Sequence, residues 1–367
     1  MSKKRIALLT DNFNTGGGLE HLFQIVKGLP HFDFGIFAKQ GDAQKKFLSL
    51  SHAKLFDKGF RPKTVTEFEP DLIHIHHLKP LLMMLKNPLR HYDIPVFFTA
   101  HGLHIHKYEF LKGRKNRIEF KIRLNLEKYL YNQTDLIIAL SKGDMEYLRT
   151  NYKINSVKYI SNGIDPNEIY NIKNDKQSLR IELNLPEKSF LFLTVARFNF
   201  QKGYDILINA IKVAAEEFRE NKARFIIIGN GDEFDFMNKL ADRSGISSLI
   251  SFLGTRTDIY KFMKACDAFL LPSRWEGLPI SPIEASFSEL PVIASRTYGN
   301  NEIIEDQKTG ILFQNENPND LSSKLLGFLN GDYDLEGMAH QAHREAKKKY
   351  QLEDMLSHLN NLYLNKI

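Results

Sequence analysis

The sequence predicts an α/β protein built on doubly wound parallel sheets. Two observations carry that expectation: short apolar strands alternate with loops and longer amphipathic stretches along all 367 residues, and this alternation opens twice in the same way. Strands are expected at Arg5–Thr10, Leu72–His76, Val96–Ala100 and Leu136–Leu140, then at Phe190–Ala196, Phe225–Gly229, Ala268–Pro272 and Val292–Ser295. They are rich in Ile, Leu, Val and Phe with little alternation, which suits parallel strands covered by helices on both faces. Between them, Asp205–Phe218 spaces Leu207, Ile211, Ala214 and Phe218 along one helix face.

The two openings set the domain organisation. Arg5–Thr10 runs through Thr15-Gly-Gly-Gly18 into a helical stretch from Leu19, and Ser189–Ala196 runs through Arg197-Phe-Asn-Phe-Gln-Lys-Gly203 into another. Two Rossmann-like domains follow, 1–170 and 171–349, with the polar segment Asn171–Ser189 as their connector. A helix over Tyr350–Leu364, within a segment 350–367, completes the chain. Each sheet offers its ligand edge at the carboxyl ends of its strands, so two facing edges would form a central cleft.

Composition narrows the function classes. Hydrophobic residues make up 43% and charged residues 26%, which excludes disordered, collagen-like and low-complexity proteins. The single cysteine, Cys266, excludes an intramolecular disulfide and a multi-cysteine zinc site, and suits a reducing compartment. The apolar stretch Ile6–Leu9 behind the basic start Met1-Ser-Lys-Lys-Arg5 is too short for a signal-peptide core, and runs such as Leu81–Leu85 and Leu136–Leu140 are too short to cross a bilayer. A cytoplasmic protein, or one peripheral on the inner face of the membrane, is expected. Of the net charge of +6, residues 1–170 hold 26 Lys and Arg against 17 Asp and Glu, so an anionic partner is expected in the first half. No recognition motif accompanies that charge, which argues against nucleic acid.

The loops after the strands carry the chemistry. Pro272-Ser-Arg-Trp-Glu-Gly-Leu-Pro-Ile-Ser-Pro-Ile-Glu284 follows a buried strand and leads into a helix, with Pro282 near its start. Glu276 and Glu284, on either side of a Gly-Leu-Pro turn, suit bonding to paired sugar hydroxyls. Arg197 and Lys202-Gly203 place two cations beside a helix start, an arrangement that binds anions. Gly229-Asn-Gly231 permits close backbone approach but lacks the spacing of a nicotinamide-binding loop.

These residues resemble the family 4 retaining glycosyltransferases of the GT-B fold. The ordered set is R-x4-K-G (Arg197, Lys202, Gly203), G-x-G, Phe252-Leu-Gly254, Pro272-Ser, E-x7-E (Glu276 to Glu284) and Pro291-Val-Ile-Ala-Ser295. In the first half, Gly17-Gly18-Leu-Glu20, Asp71-Leu-Ile-His74, His101-Gly102, Thr134–Ser141 and Ser161–Asp165 match as well. The resemblance implies sugar transfer from a nucleotide-diphosphate donor, a UDP-sugar by expectation, to a glycan or lipid-linked acceptor in cell-surface polysaccharide synthesis. By the same resemblance, Arg197 and Lys202 hold the diphosphate, Glu284 the ribose, and Glu276 and His101 the donor sugar. Gly17, Gly18, Gly229, Gly231 and the turn Gly277, Leu278, Pro279 seat the donor, and no metal or other cofactor is expected. The C-terminal helix would cross back onto the first domain. A nucleotide-sugar epimerase on this scaffold and a non-catalytic nucleotide-sugar-binding protein are the alternatives.

Two positions depart from the family pattern. Gly299-Asn-Asn-Glu302 replaces a Gly-Gly pair, and Glu289 stands where glycine usually closes the helix after Glu284, so that helix end is expected to differ. Histidines recur as His74, His76, His77 and as His101, His104, His106. The H-x-H spacing reads better as packed strand neighbours than as metal ligands. Finally, 107–128 holds eight basic residues against three acidic ones with Tyr108, Phe110 and Phe120 interleaved. It suits either an anionic membrane surface or a helix packed through Ile118, Ile122 and Leu126.

Overall fold

The computed structural model describes residues 3–14, 16–85 and 93–367. Met1, Ser2 and Thr15, named above, lie outside the described residues. The chain divides into two compact units, Met1–Gly163 with Leu352–Ile367, and Ile164–Gln351.

The first unit is a seven-stranded parallel sheet in the order β3-β2-β1-β4-β5-β6-β7. Its strands are β1 (Arg5–Asn12), β2 (Asp33–Lys39), β3 (Ala53–Phe56), β4 (Leu72–Ile75), β5 (Val96–Ala100), β6 (Leu136–Ala139) and β7 (Val157–Tyr159). One face is covered by the helix Gly17–Gly28 through Leu22, Ile25 and Val26, and by the helix Leu352–Leu364 through Met355, Leu359 and Tyr363. The opposite face packs Leu130, Tyr131, Leu148 and Tyr152.

The second unit is a six-stranded parallel sheet in the order β10-β9-β8-β11-β12-β13. It comprises β8 (Phe190–Val195), β9 (Ala223–Ile228), β10 (Ile250–Phe252), β11 (Ala268–Leu271), β12 (Val292–Ser295) and β13 (Ile311–Phe313). Leu207, Ile211, Leu321 and Leu325 fill one face; Phe262, Met263, Ala285 and Leu290 fill the other. All eight strands expected from the sequence form, each starting at or within a residue or two of its expected position. The other five were silent for physical reasons: β7, β10 and β13 are three residues long, β3 is a short edge strand interrupted by Lys54, and β2 carries Gly35 in its middle, which weakens a strand pattern.

Three local expectations are corrected. Asn171–Ser189 is not a bare connector. Asp175 caps the helix Lys176–Glu182, Leu179 is fully buried, and buried Arg180 donates to the carbonyls of Ala265 and Glu187 and to Asp267 at 2.6 Å. Asp205–Phe218 is two helices, Tyr204–Val213 and Ala215–Glu220, broken where Ala214 takes φ −124° and ψ 40°.

The third concerns the helix Arg114–Tyr131, which does not pack through Ile118, Ile122 and Leu126; these are 51%, 63% and 42% exposed. Its rotation is set by Glu127, which is buried and accepts from the Tyr152 hydroxyl at 2.6 Å and from Arg123 Nε at 2.5 Å. With Glu127 inward, Leu130 and Tyr131 go to the core, and residues a half-turn away face outward.

Candidate active site

In the second unit, the loops after β8 and β11 are tied into one platform. Phe198, fully buried, stacks on Tyr204 with centroids 3.9 Å apart, and the Tyr204 hydroxyl donates to the Ala196 carbonyl at 2.8 Å. The Asn199 side chain accepts from the Lys202 amide, capping the single turn Phe200–Lys202. Gly203 then turns the chain with φ 63°; a Cβ there would lie 2.1 Å from the Pro272 carbonyl oxygen, so only glycine lets the two loops touch.

That contact brings Lys202 to Glu276. Lys202 Nζ lies 2.5 Å from Glu276 Oε1, with Glu276 6% exposed. Burying a carboxylate requires a partner, and the ammonium supplies it. Gln201 Nε2 donates to the Trp275 carbonyl at 2.8 Å, holding the same loop from the other side. Glu284 lies in the helix Ile280–Phe287 and accepts from the Tyr260 hydroxyl at 2.9 Å. Between the two glutamates, Leu278 is buried and Pro279 precedes the first helical residue. Gly277 is packed from behind: a Cβ on Gly299 would lie 1.9 Å from the Gly277 carbonyl oxygen. Asn300 is buried there and donates to the Ser295 carbonyl at 2.8 Å.

Arg197 is exposed at the end of β8. Gly229 and Gly231 have a structural reason for their identity: a Cβ would lie 2.0 Å from the Ala196 oxygen and 2.3 Å from the Phe198 oxygen. They allow the loop after β9 to pack on the loop that carries Arg197 and Lys202.

Sequence reasoning missed the clamp of this platform. Arg274 is 5% exposed, chelates Asp205 at 3.0 and 2.7 Å, donates to the Phe200 carbonyl at 2.7 Å and pairs with Glu316 at 2.6 Å. Its guanidinium also lies 4.0 Å from the Phe200 ring centroid. A fork of fixed donors suits such a hub. A cation between Ser273 and Trp275, directly after a buried apolar strand, was the available signal. Tyr260 carried none, because it meets Glu284 only through the fold.

The helix end after Glu284 corrects another expectation. Glu289 takes the left-handed conformation, φ 55°, that glycine would take. Leu290 N–H bonds to the Ala285 carbonyl at 2.9 Å and Glu289 N–H to that of Ser286 at 3.2 Å, a Schellman closure with Leu290 buried. Glu289 also meets His340 at 3.4 Å and His343 at 3.8 Å, which offsets part of the strain.

The first unit holds a separate cluster at the carboxyl ends of its strands. His101 follows β5, and its ring lies against Gly18 in the first turn of the helix Gly17–Gly28, where a Cβ would be 3.7 Å from His101 Cγ and Nδ1. His76 follows β4, and its Nδ1 is 3.0 Å from His101 Nε2. His21, buried, sits edge-on to His101 with centroids 5.1 Å apart. His74 is a satisfied core residue, bonded to the Tyr363 hydroxyl at 2.6 Å and the Thr99 hydroxyl at 2.7 Å. Burial pushes these imidazoles down, joined at His74, His76 and His101 by repulsion from neighbouring imidazoles: His21 to about 4, His74 to about 3, and His76 and His101 well below the ordinary value. They are neutral at pH 7.

Among the described residues, no three His, Cys, Asp or Glu side chains are arranged to hold a metal ion. Asp232 and Asp235 lack the one-residue separation of an Asp-x-Asp pair; Asp332 and Asp334 have it, but Asp334 caps the helix Leu335–Lys349 through the Gly337 amide. No described helix is long and apolar enough to cross a membrane.

The structure thus brings Lys202, Glu276, Gly277 and Gln201 together, holds Glu284 through Tyr260, and gathers Gly18, His101 and His76 in the other unit. Residues 175–349 match the family described as Glycosyl transferases group 1, and residues 48–168 match Glycosyltransferase Family 4. An uncharacterized glycosyltransferase of Methanocaldococcus jannaschii is 29% identical, with 95% of this chain and 94% of that protein covered. The Escherichia coli UDP-Gal:alpha-D-GlcNAc-diphosphoundecaprenol alpha-1,3-galactosyltransferase is 26% identical over 81% of this chain and 76% of its own length. In fold, the chain is similar to Anabaena HepE in complex with UDP-glucose, with a TM-score of 0.83 at 22% identity, 99% of this chain and 100% of that chain being covered.

Proposed function

Because this chain belongs to the family 4 glycosyltransferases of the GT-B fold, we propose that it moves a hexosyl or N-acetylhexosaminyl group from a UDP-sugar to a glycan or lipid-linked acceptor, with retention at the anomeric carbon. The single observation that carries this reading is the Lys202–Glu276 pair at 2.5 Å, on a platform that also holds Arg197 and Glu284. The Escherichia coli relative is named for a UDP-Gal donor and a diphosphoundecaprenol-linked acceptor, and HepE was solved with UDP-glucose. Both favour this donor and acceptor class.

In this mechanism Arg197 and Lys202 neutralise the charge that builds on the diphosphate as its bond to the sugar breaks. Lys202, fixed by Glu276 in a mostly buried contact, needs little reorganisation when that charge appears. Glu276 holds the ammonium in place with Oε1 and accepts from donor-sugar hydroxyls at Oε2, which also receives Gln201 Nε2 at 3.4 Å. Glu284, oriented by Tyr260, accepts from the ribose hydroxyls, and neutral His101 donates to the sugar. The charge is carried by side chains, so we propose a reaction that proceeds without a metal ion.

The test is transfer from a panel of nucleotide sugars, with and without EDTA. Lys202→Ala and Glu284→Ala are each expected to lower transfer by at least a hundredfold with unchanged circular dichroism. Near-normal turnover in both would refute these roles. A pure epimerase would convert the donor with no acceptor present, and a binding protein would do neither.

The membrane surface enters this reading through the helix Arg114–Tyr131. Ile118, Ile122, Leu126 and Tyr129 form an exposed stripe on one side of it, flanked by Arg114, Arg117, Lys121 and Lys128. An exposed apolar stripe beside cations matches an anionic bilayer interface, where a lipid-linked acceptor would reside. Co-sedimentation with phosphatidylglycerol vesicles, and weaker binding by Ile118→Ser/Ile122→Ser, is the expected result. Equal recovery with neutral phosphatidylcholine vesicles would count against it.

A further inference from the structure

The histidine cluster contains a residue that no motif assigned, His76. We infer that His76 is a positioning residue: it donates from Nδ1–H to His101 Nε2 and so holds His101 in the tautomer that carries its proton on Nδ1. This rests on the reading above that His101 meets the donor sugar.

The argument is one of proton placement. His76 is 1% exposed, and its Nδ1 lies 3.0 Å from His101 Nε2. Its other nitrogen, Nε2, is buried without a hydrogen-bond partner. One proton occupies the contact between the rings, and it belongs to one ring or the other. If His101 supplied it, His76 would have to accept at Nδ1 and carry its own proton on Nε2. That would bury an N–H with nothing to receive it, a penalty of about 1–3 kcal/mol. If His76 supplies it, only a bare lone pair is orphaned, which proteins tolerate more readily than an orphaned donor. The second arrangement wins, and His101 Nε2 is then an acceptor.

The surroundings hold both rings to this choice. Protonating both nitrogens of His76 is opposed by burial and by His74, His101, His21 and His77 around it. His74 cannot exchange partners, because Tyr363 and Thr99 occupy both of its nitrogens, and its ring lies 4.3 Å from that of His76. His21 presses edge-on against His101 from the helix Gly17–Gly28, and His77, held by the Thr10 hydroxyl at 2.8 Å, lies nearly parallel to it at 6.0 Å. His101 therefore offers an uncharged N–H at Nδ1 to a ligand oxygen, beside Gly18 in the first turn of the helix Gly17–Gly28. A neutral donor suits a sugar hydroxyl or ring oxygen, whereas a protonated imidazole would favour an anion.

Ring nitrogen–proton correlation spectra of the full chain labelled with 15N-histidine read the tautomer directly, the His101 signals being identified by their loss in His101→Gln. The expected wild-type pattern is protonated Nδ1 and bare Nε2. His76→Phe keeps a ring but no donor; it is expected to lose that pattern and roughly tenfold in kcat, with donor KM changing less. His76→Asn, whose amide N–H overlays Nδ1–H, is expected to restore both. A wild-type spectrum with the proton on Nε2 overturns the inference even if no variant folds. So does a folded His76→Phe that keeps the wild-type tautomer and kcat. Wild-type turnover by His101→Ala would instead refute the role of His101 in transfer, with the tautomer still judged by the spectrum.

Discussion

Glu284 shows how much a single side chain depends on one it does not neighbour in sequence. Tyr260, twenty-four residues earlier, donates to Glu284 Oε1 at 2.9 Å and so fixes how the carboxylate is turned. Tyr260→Phe is expected to raise donor KM about tenfold with kcat nearly unchanged, since a hydrogen bond to a charged group contributes about 1.5–3 kcal/mol and only part of it orients the carboxylate. Steady-state kinetics with varied donor checks this, and an unchanged KM would remove Tyr260 from the site. At this scale the sequence was readable wherever chemistry recurs at short spacing. Arg197, Lys202, Glu276 and Glu284 announce themselves by charge in apolar loops, whereas Tyr260, Gln201 and His76 acquire their roles from packing between distant strands. Gly229 and Gly231 were visible as glycines, but the reason for them, the carbonyls of Ala196 and Phe198, was not.

Among elements, the helix Ile280–Phe287 is the most instructive. Its C-terminal closure demands a left-handed residue, and the chain places Glu289 there at φ 55°. A side chain in that region costs about 1–2 kcal/mol, while half-exposed pairs with His340 and His343 return only a fraction of it. Glu289→Gly is therefore expected to stabilise the second unit by about 0.5–1 kcal/mol without altering transfer. Thermal melts measure this, and a lowered Tm would mean that the histidine pairs outweigh the strain. The departure from glycine was legible; that geometry would prevail over side-chain preference was not, because the hydrogen bonds of Leu290 and Glu289 enforce the turn. The helix Arg114–Tyr131 gives the complementary case. Its 3.6-residue period could be seen, but its facing was decided by Glu127 and Tyr152, a buried polar contact that periodicity does not encode.

For the molecule as a whole, histidines make stability a peaked function of pH. His21 and His74 are depressed to about 4 and about 3 by burial, so the unfolded chain binds protons that the folded chain refuses. Their effect is absent above the unfolded value near 6.5, and stability is lost as pH falls from there toward 4. His106 works in the opposite sense. Burial pulls it down, but Asp144 and Glu109, the latter at 2.6 Å, more than compensate and raise it to about 9. Its stabilisation is complete below about 6.5 and vanishes as pH rises through 9. Urea midpoints for unfolding of the first unit should therefore peak near pH 6.5–7. A midpoint that climbs steadily to pH 9.5 would contradict the role of His106, and one flat from 6.5 to 4.5 would contradict that of the cluster. The two-sheet architecture itself was the most legible feature, since continuous apolar runs ending in glycine-rich or charged loops specify buried parallel strands with little ambiguity.

The first sheet draws its covering layer from two segments far apart in the chain: Tyr363 bonds His74, and Leu359 and Met355 fill the same layer as Ile25 and Val26. During synthesis the early strands must wait, incompletely roofed, until the ribosome has released some two hundred further residues, while Ile164–Gln351 can already have settled. Nascent chains of this protein thus pass through an interval in which the later-made half is finished and the earlier-made half still exposes oily surface to chaperones.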